Sequence, residues 1–220
     1  LRFGEDVDLV WRLDGAGWRC RYEPSVGVAH EPRGSWTSWL AQRVSYGSSA
    51  APLAIRHPGA LAPMRTNGWS LAAWALPLFG RTRVGRATAI ALAAGLTAGS
   101  ALALAPKLSG VPARESVGFA LRGHLAAGDQ YGQAVRRVYW PVLMIAALWL
   151  RPARRALALA AVAARPSLRI ADDVAYSIGV WRGMIEHRTA GPLLPKISAW
   201  PPRGGQRRWR TPRVGGGGAR

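Results

Sequence analysis

The sequence predicts a short α/β unit followed by a long, mainly α-helical, membrane-associated region. Three observations carry this expectation. The first 34 residues mix a helix-spaced acidic segment with short alternating and apolar runs. Residues 68–164 hold Ala- and Leu-rich runs with few or no charges. The cations, 30 Lys plus Arg against 11 acidic residues, flank those runs, and 11 Trp are spread along the chain. Amphipathic rings and cations at the edges of apolar runs suit a membrane interface, where both settle at headgroup level.

Taken in order, Glu5 to Asp14 places Val7, Val10 and Leu13 at near-helical spacing, and Gly15 and Gly17 supply a stop. Trp18-Arg19-Cys20-Arg21-Tyr22 alternates apolar and cationic residues, a strand pattern ended by Pro24. Val26 to Ala29 is a second short apolar run, closed by His30-Glu31-Pro32. These elements make up the first unit, 1–34. An amphipathic interfacial helical segment is expected over 35–67. Ser35 is its N-cap, and Trp36, Trp39, Leu40 and Arg43 fall at i, i+3, i+4 and i+7. Tyr46-Gly47 is expected to loosen that helix and His57-Pro58-Gly59 to end it.

Residues 68–164 form the apolar zone. Trp69 to Phe79 is too short to span a bilayer alone, whereas Ala87 to Ala105 runs without a charge and is the best span candidate. Val138 to Leu150 is short and holds Pro141, and Leu157 to Ala164 follows Arg151, Arg154 and Arg155. Arg81, Arg83 and Arg86 lie between the first two runs, so making both of them spans would oppose the positive-inside tendency. The expected arrangement lays 69–79 in the interface and sends 87–105 across, paired with a segment near 138–150. A soluble bundle of Ala-rich helices is the alternative, and a mean hydropathy of +0.01 is compatible with it. A helical return is expected over 165–200, opened by Asp172-Asp173, and a disordered Arg/Gly/Pro tail over 201–220.

A net charge of +19 attracts anionic partners. No nucleic-acid reader motif accompanies it, so membrane lipids are the expected partner and nucleic acid is not. The single Cys20 excludes an intramolecular disulfide framework and a cysteine-based zinc site. No Gly-rich phosphate loop and no Ser/His/Asp set appears. The chain opens Leu1-Arg2-Phe3 with neither an initiator Met nor an export signal, and is expected to be a piece of a longer polypeptide.

The segment that carries chemistry is Gly4-Glu5-Asp6-Val7-Asp8-Leu9, with Arg12, Gly17-Trp18 and His30 behind it. Three carboxylates within four residues open a helix, where backbone N–H groups and the dipole stabilise negative charge. One can cap the helix while another faces a cleft as a general base. The competing reading is that Glu5, Asp6 and Asp8 only cap and solubilise, since acidic first turns are routine.

The string Glu5-Asp6-x-Asp8-Leu9, with Arg12, Gly17-Trp18 and Val26 through His30, resembles the second half of a family-2, inverting glycosyltransferase domain of the GT-A type. Tyr22-Glu23-Pro24, Tyr46-Gly47-Ser48-Ser49-Ala50-Ala51-Pro52-Leu53, Arg56-His57-Pro58-Gly59-Ala60-Leu61-Ala62-Pro63, Asp172-Asp173-Val174-Ala175-Tyr176 and Pro192-Leu193-Leu194-Pro195 are similar to the mycofactocin-system branch. The first unit is then the C-terminal part of a GT-A catalytic domain whose first half is missing, and the isolated chain is expected to be inactive.

The resemblance further implies a nucleotide-sugar donor, with glucose the expected sugar, and a mycofactocin-type peptide acceptor. Asp6 is implied as the catalytic base, with Glu5, Asp8, Arg12, Arg43 and Tyr46 as substrate contacts. A divalent metal ion, Mg or Mn, is implied, with its main ligands upstream of the chain. His30 matches a position that helps bind this metal in some relatives; a strand-end histidine bonded to backbone is the alternative. Gln42-Arg43-Val44-Ser45-Tyr46 stands where processive relatives carry Gln-x-x-Arg-Trp and departs from it, so Arg43 and Tyr46 have a membrane-facing structural role as their alternative. The implied location is the cell membrane, with the active site facing the cytoplasm.

Overall fold

The structure is a computed structural model that describes residues 1–27, 29, 34–108, 110–164 and 168–198. Val28 of the second apolar run, His30 and the tail 201–220 lie outside the described residues.

Helix α1 spans Glu5–Gly15, as the spacing of Val7, Val10 and Leu13 requires. The expected strand over Trp18–Tyr22 does not form. Residues 18–23 have no regular structure, and Trp18 and Tyr22 are 69% and 85% exposed. Alternation alone does not make a strand, because the backbone needs a neighbouring strand to pair with. The strands among the described residues pair with each other: β1, Arg65–Asn67, runs parallel to β2, Lys196–Ser198, with Thr66 opposite Ile197. Thr66 also bonds the Tyr131 hydroxyl, and Ser198 Oγ donates to the Thr66 carbonyl at 3.1 Å.

Helix α2, Trp36–Ser48, starts where expected, with Ser35 Oγ accepting from the Ser38 amide at 3.2 Å. It runs on through Tyr46-Gly47 instead of loosening there, and α3, Ala50–Arg56, follows one residue later. Gly47 serves packing: α2 lies against α9, Leu168–Glu186, at a distance that admits no side chain. A Cβ on Gly47 would sit 2.0 Å from the Tyr176 carbonyl oxygen. One on Gly179 would sit 1.9 Å from that of Val44, and one on Gly183 2.4 Å from that of Ser48. Beside this crossing Ala50, Val180 and Met184 are buried, with Leu61, Tyr176, Trp181 and Leu193 packed around them. Asp172 and Asp173 do not open α9; they lie in its second turn.

The apolar zone is a second helical layer. Helices α4, Gly68–Phe79, and α5, Arg83–Leu104, are capped by Asn67 and Thr82, which accept from the Ser70 and Gly85 amides. Helix α6, Ala113–Ala134, has no counterpart in the sequence expectation, because its glycines and scattered charges interrupt the apolar periodicity. Aromatic knobs in glycine notches hold the three together: a Cβ on Gly99 would meet the Trp69 ring at 2.6 Å, and one on Gly128 the Trp74 ring at 2.2 Å. Trp74 Nε1 donates to the His124 carbonyl at 2.7 Å. The chief neighbours of α5 are thus α4 and α6, not the segment near 138–150. Residues 83–107 are long and apolar enough to cross a membrane, and 17% of their most apolar window is buried within the structure.

A π-helical turn, Val135–Tyr139, joins α6 to α7, Trp140–Ala147; α8 is Arg151–Val162. That turn brings two arginines to the acidic pair of α9. Arg136 donates through Nε to Asp173 Oδ2 at 2.7 Å, both side chains being buried, and through Nη1 to the Ala160 carbonyl. Arg137 Nε lies 3.1 Å from Asp173 Oδ1, and Arg43 of α2 pairs with Asp172. The cluster thereby ties α2, α8 and the π turn to α9. Breaking such a buried pair by removing one partner costs about 3–5 kcal/mol.

The glycine crossing predicts a contrast between two Gly→Ala changes. Gly179→Ala must push α2 away from α9 and should lower stability by about 1–3 kcal/mol. Gly95→Ala, in the middle of α5 with open space around it, should be neutral or stabilise by about 0.5–1 kcal/mol. Thermal melts of the two variants in the same detergent check this; equal losses would mean that the crossing is not the tight point.

Candidate functional site

Helix α1 is set on the rest of the molecule by a glycine and a carboxylate. Gly4 precedes it with φ 76°, and a Cβ there would stand 3.0 Å from both Leu53 Cδ1 and Ser49 Oγ of the α2–α3 corner. Gly4 therefore meets two demands at once, a left-handed backbone and a close approach. No side chain caps α1, so the expected capping carboxylate is absent; Gly4 occupies the N-cap and its carbonyl accepts from the Asp8 amide at 3.0 Å.

The three acidic residues divide sharply. Glu5 and Asp6 are exposed, and their side chains make no hydrogen bond or ion pair with any described residue. Asp8 is 4% exposed and saturated. His57 Nε2 donates to its Oδ1 at 2.8 Å, Arg56 Nη1 to Oδ2 at 3.1 Å, and Arg12 Nε lies 3.2 Å from Oδ2. Trp11 meets the His57 ring edge-on, 5.2 Å between centroids. The hydrogen bond from His57 lowers the Asp8 pKa most; burial opposes it, and the charges of Arg56, Arg12 and His57 add to the lowering. Asp8, expected as a substrate contact, thus fastens α1 to the end of α3; Arg12, expected as another, pairs with Asp8 one turn along the same helix, and its side chain stays 63% exposed. In the sequence alone His57 reads as a helix stop. Its signal as a partner was its place in the Arg56-His57-Pro58-Gly59 string.

Of the α2 residues, Tyr46 lies near the start of α1. Phe3 meets its ring edge-on at 6.2 Å, and Gln42 Nε2 donates to its hydroxyl at 2.7 Å. Arg43 faces elsewhere: it pairs with Asp172 and lies over the Trp39 ring at 5.4 Å. A groove of about 470 Å³ runs between residues 1–3, α2, α3 and the end of α9, and Arg2, Ser45, Ser48, Arg182, Glu186 and His187 line it. Hydroxyls and cations of this kind suit a hydroxylated or phosphorylated ligand. Neither Glu5 nor Asp6 lines it.

No group of three or more His, Cys, Asp or Glu among the described residues could hold a metal ion, and His30 lies outside them. The described residues do not by themselves fit the expected divalent ion.

No family model matches the chain, and no solved structure matches it. Among curated proteins it is similar to glycosyltransferases. The relatives are the pre-mycofactocin glycosyltransferases of Mycobacterium tuberculosis, strains CDC 1551 / Oshkosh and ATCC 25618 / H37Rv. Each is 38% identical, over 90% of this chain and 46% of the relative. The chain therefore spans about half the length of the curated relatives it matches.

The fastening of α1 should depend on pH in one direction. A carboxylate whose folded pKa is lowered contributes stability that is present above its unfolded pKa and lost as pH falls through the folded value. Hydrogen exchange over α1 should therefore accelerate as pH falls below the ordinary carboxylate range, after correction for intrinsic exchange. Asp8→Asn should give fast exchange there already at neutral pH. Protection in Asp8→Asn equal to that of the wild type at neutral pH would mean that α1 is held by something else.

Proposed function

We propose that this chain is part of a membrane-associated, inverting glycosyltransferase of the family-2 type, acting in mycofactocin biosynthesis. The observation that carries the reading is the 38% identity to pre-mycofactocin glycosyltransferase along 90% of the chain. The division of labour among the three carboxylates supports it. A general base must be reachable and must stand on a rigid element. Asp6 is exposed at the amino end of a helix whose neighbouring first-turn carboxylate, Asp8, is locked to His57 and Arg56.

In this reading Asp6 takes the proton of an acceptor hydroxyl. The oxygen attacks the anomeric carbon of a nucleotide-activated sugar, glucose being the expected one. The glycosidic bond forms on the face opposite the leaving nucleoside diphosphate, which departs with its bonding electron pair, so the configuration inverts. The acceptor is a mycofactocin-type peptide product bearing a hydroxyl. Tyr46, which meets Phe3, would contact acceptor or donor from α2, and Arg12, whose side chain stays exposed, would meet a phosphate. A divalent ion would offset charge on the diphosphate; His30 is its candidate ligand in this chain. Residues 83–107, with Arg81, Arg83 and Arg86 at their start, would hold the catalytic unit at the cytoplasmic face of the cell membrane.

A second reading, a non-catalytic basic protein on anionic lipid, is favoured by the exposed apolar length of α5 beside its arginines. Lipid binding makes no use of an unpaired Asp6, and the two readings part there.

The test is transfer of labelled glucose from its nucleotide to the mycofactocin precursor peptide product. The assay uses membranes holding the chain joined to the part of the Mycobacterium tuberculosis relative it does not match. Asp6→Asn, matched for expression, should lower transfer by about 10²–10⁴-fold. Equal transfer by the variant would move the base elsewhere. Absence of turnover in the wild type, with binding to acidic vesicles intact, would favour the lipid reading.

A further inference from the structure

The wall formed by α6, the π turn and α9 encloses a cavity of about 210 Å³ that sugar transfer at Asp6 does not use. One side is apolar, with Ala50, Leu61, Val180 and Pro192 among its lining. The polar side is formed by Gln130, Gln133, Arg137 and Tyr176, and three of these have N–H or O–H groups to spare. Gln130 Oε1 is occupied by the Arg65 amide at 3.0 Å, so the amide end it has left is its N–H₂. Arg137 forms ion pairs, its Nε 3.1 Å from Asp173 Oδ1 and its Nη2 3.8 Å from Asp172 Oδ2, and its Nη1 has no bond to the described residues. The Tyr176 hydroxyl has no bond to them either, and burial raises its pKa against the opposing charge of Arg137, which keeps its proton in place. The Arg137 guanidinium sits 4.3 Å from the centre of the Tyr176 ring, so these two donors share one wall.

The charge around this wall is unbalanced. Three guanidiniums, those of Arg43, Arg136 and Arg137, share the two carboxylates of Asp172 and Asp173. Arg136 Nη2 is buried with no hydrogen-bond partner. A cation-rich, donor-rich wall facing an apolar one selects a ligand with acceptors and a negative charge at one end and hydrocarbon at the other.

We propose that this cavity binds a small amphipathic carboxylate, its hydrocarbon against Leu61, Val180 and Pro192 and its carboxylate received by Arg137, Gln130 and Tyr176. The planar fork of Arg137 suits a planar carboxylate, and the apolar wall opposite offers nothing to the remaining oxygens of a free phosphate. The site is separate from the acidic motif and stands whether or not Asp6 is a base.

The test is ligand-observed NMR on the whole chain in lipid nanodiscs, with isovalerate, its neutral amide isovaleramide and inorganic phosphate as probes. Isovalerate should bind, isovaleramide about tenfold or more weakly, and phosphate should not displace isovalerate. Tyr176→Phe, which keeps the ring beneath Arg137, should weaken isovalerate about fivefold or more. Ala62→Leu, which fills the cavity from a loop, should abolish binding; thermal melts matching the wild type would separate this from misfolding. Equal binding of acid and amide would overturn the proposal, as would isovalerate binding that survives Ala62→Leu. Phosphate displacing isovalerate would replace the carboxylate class with a phosphate one.

Discussion

The contact on which the rest of the molecule depends is the approach of α2 to α9 through Gly47, Gly179 and Gly183. Because the two backbones nearly touch, the α2–α3 corner has one place to go, and everything mounted on that corner inherits its position. Gly4 packs on Ser49 and Leu53, which fixes where α1 begins. Arg56 and His57, at the far end of α3, reach Asp8 and fix how α1 lies. On the other flank, the same crossing sets Arg43 beside Asp172 and lets α9 present Asp173 to the π turn. A bulky residue at the crossing would thus disturb the acidic helix and the buried ion cluster together, although neither touches the other.

Three acidic side chains in four residues look equivalent in sequence, and the structure makes them unequal. Asp8 meets Arg56 and His57 at the end of α3 and is buried there, while Glu5 and Asp6 stay in solvent. A rigid helix with one sacrificed carboxylate and one free carboxylate is an economical way to hold a reactive group still, since the anchor does not compete for substrate.

What the sequence made legible follows from which signals are local. Ser35 as a cap, the helical spacing of Val7, Val10 and Leu13 and the long uncharged run of α5 depend on neighbours within a few residues, and each stands where expected. The strand over Trp18–Tyr22 failed because pairing is a property of two segments. Helix α6 is not legible in the sequence because its glycines look like breakers; for Gly128, which admits the Trp74 ring of α4, the reason shows only once the partner is known. The anchoring contacts of Asp8 are not legible in the sequence because its partners Arg56 and His57 lie about fifty positions away in the chain; only the resemblance singles out the string that holds them.

The parallel pairing of β1 with β2 has a consequence for the order in which the chain assembles. Helices α4 to α9 all lie between those two strands, so the pair closes a loop containing most of the molecule. Closing so long a loop in a disordered chain is entropically costly, and three residues of ladder offer little in return. The pair must therefore form after the helices have already brought its ends together. It behaves as a latch on a finished bundle rather than as a nucleus, and its closure reports that the helical layers have assembled.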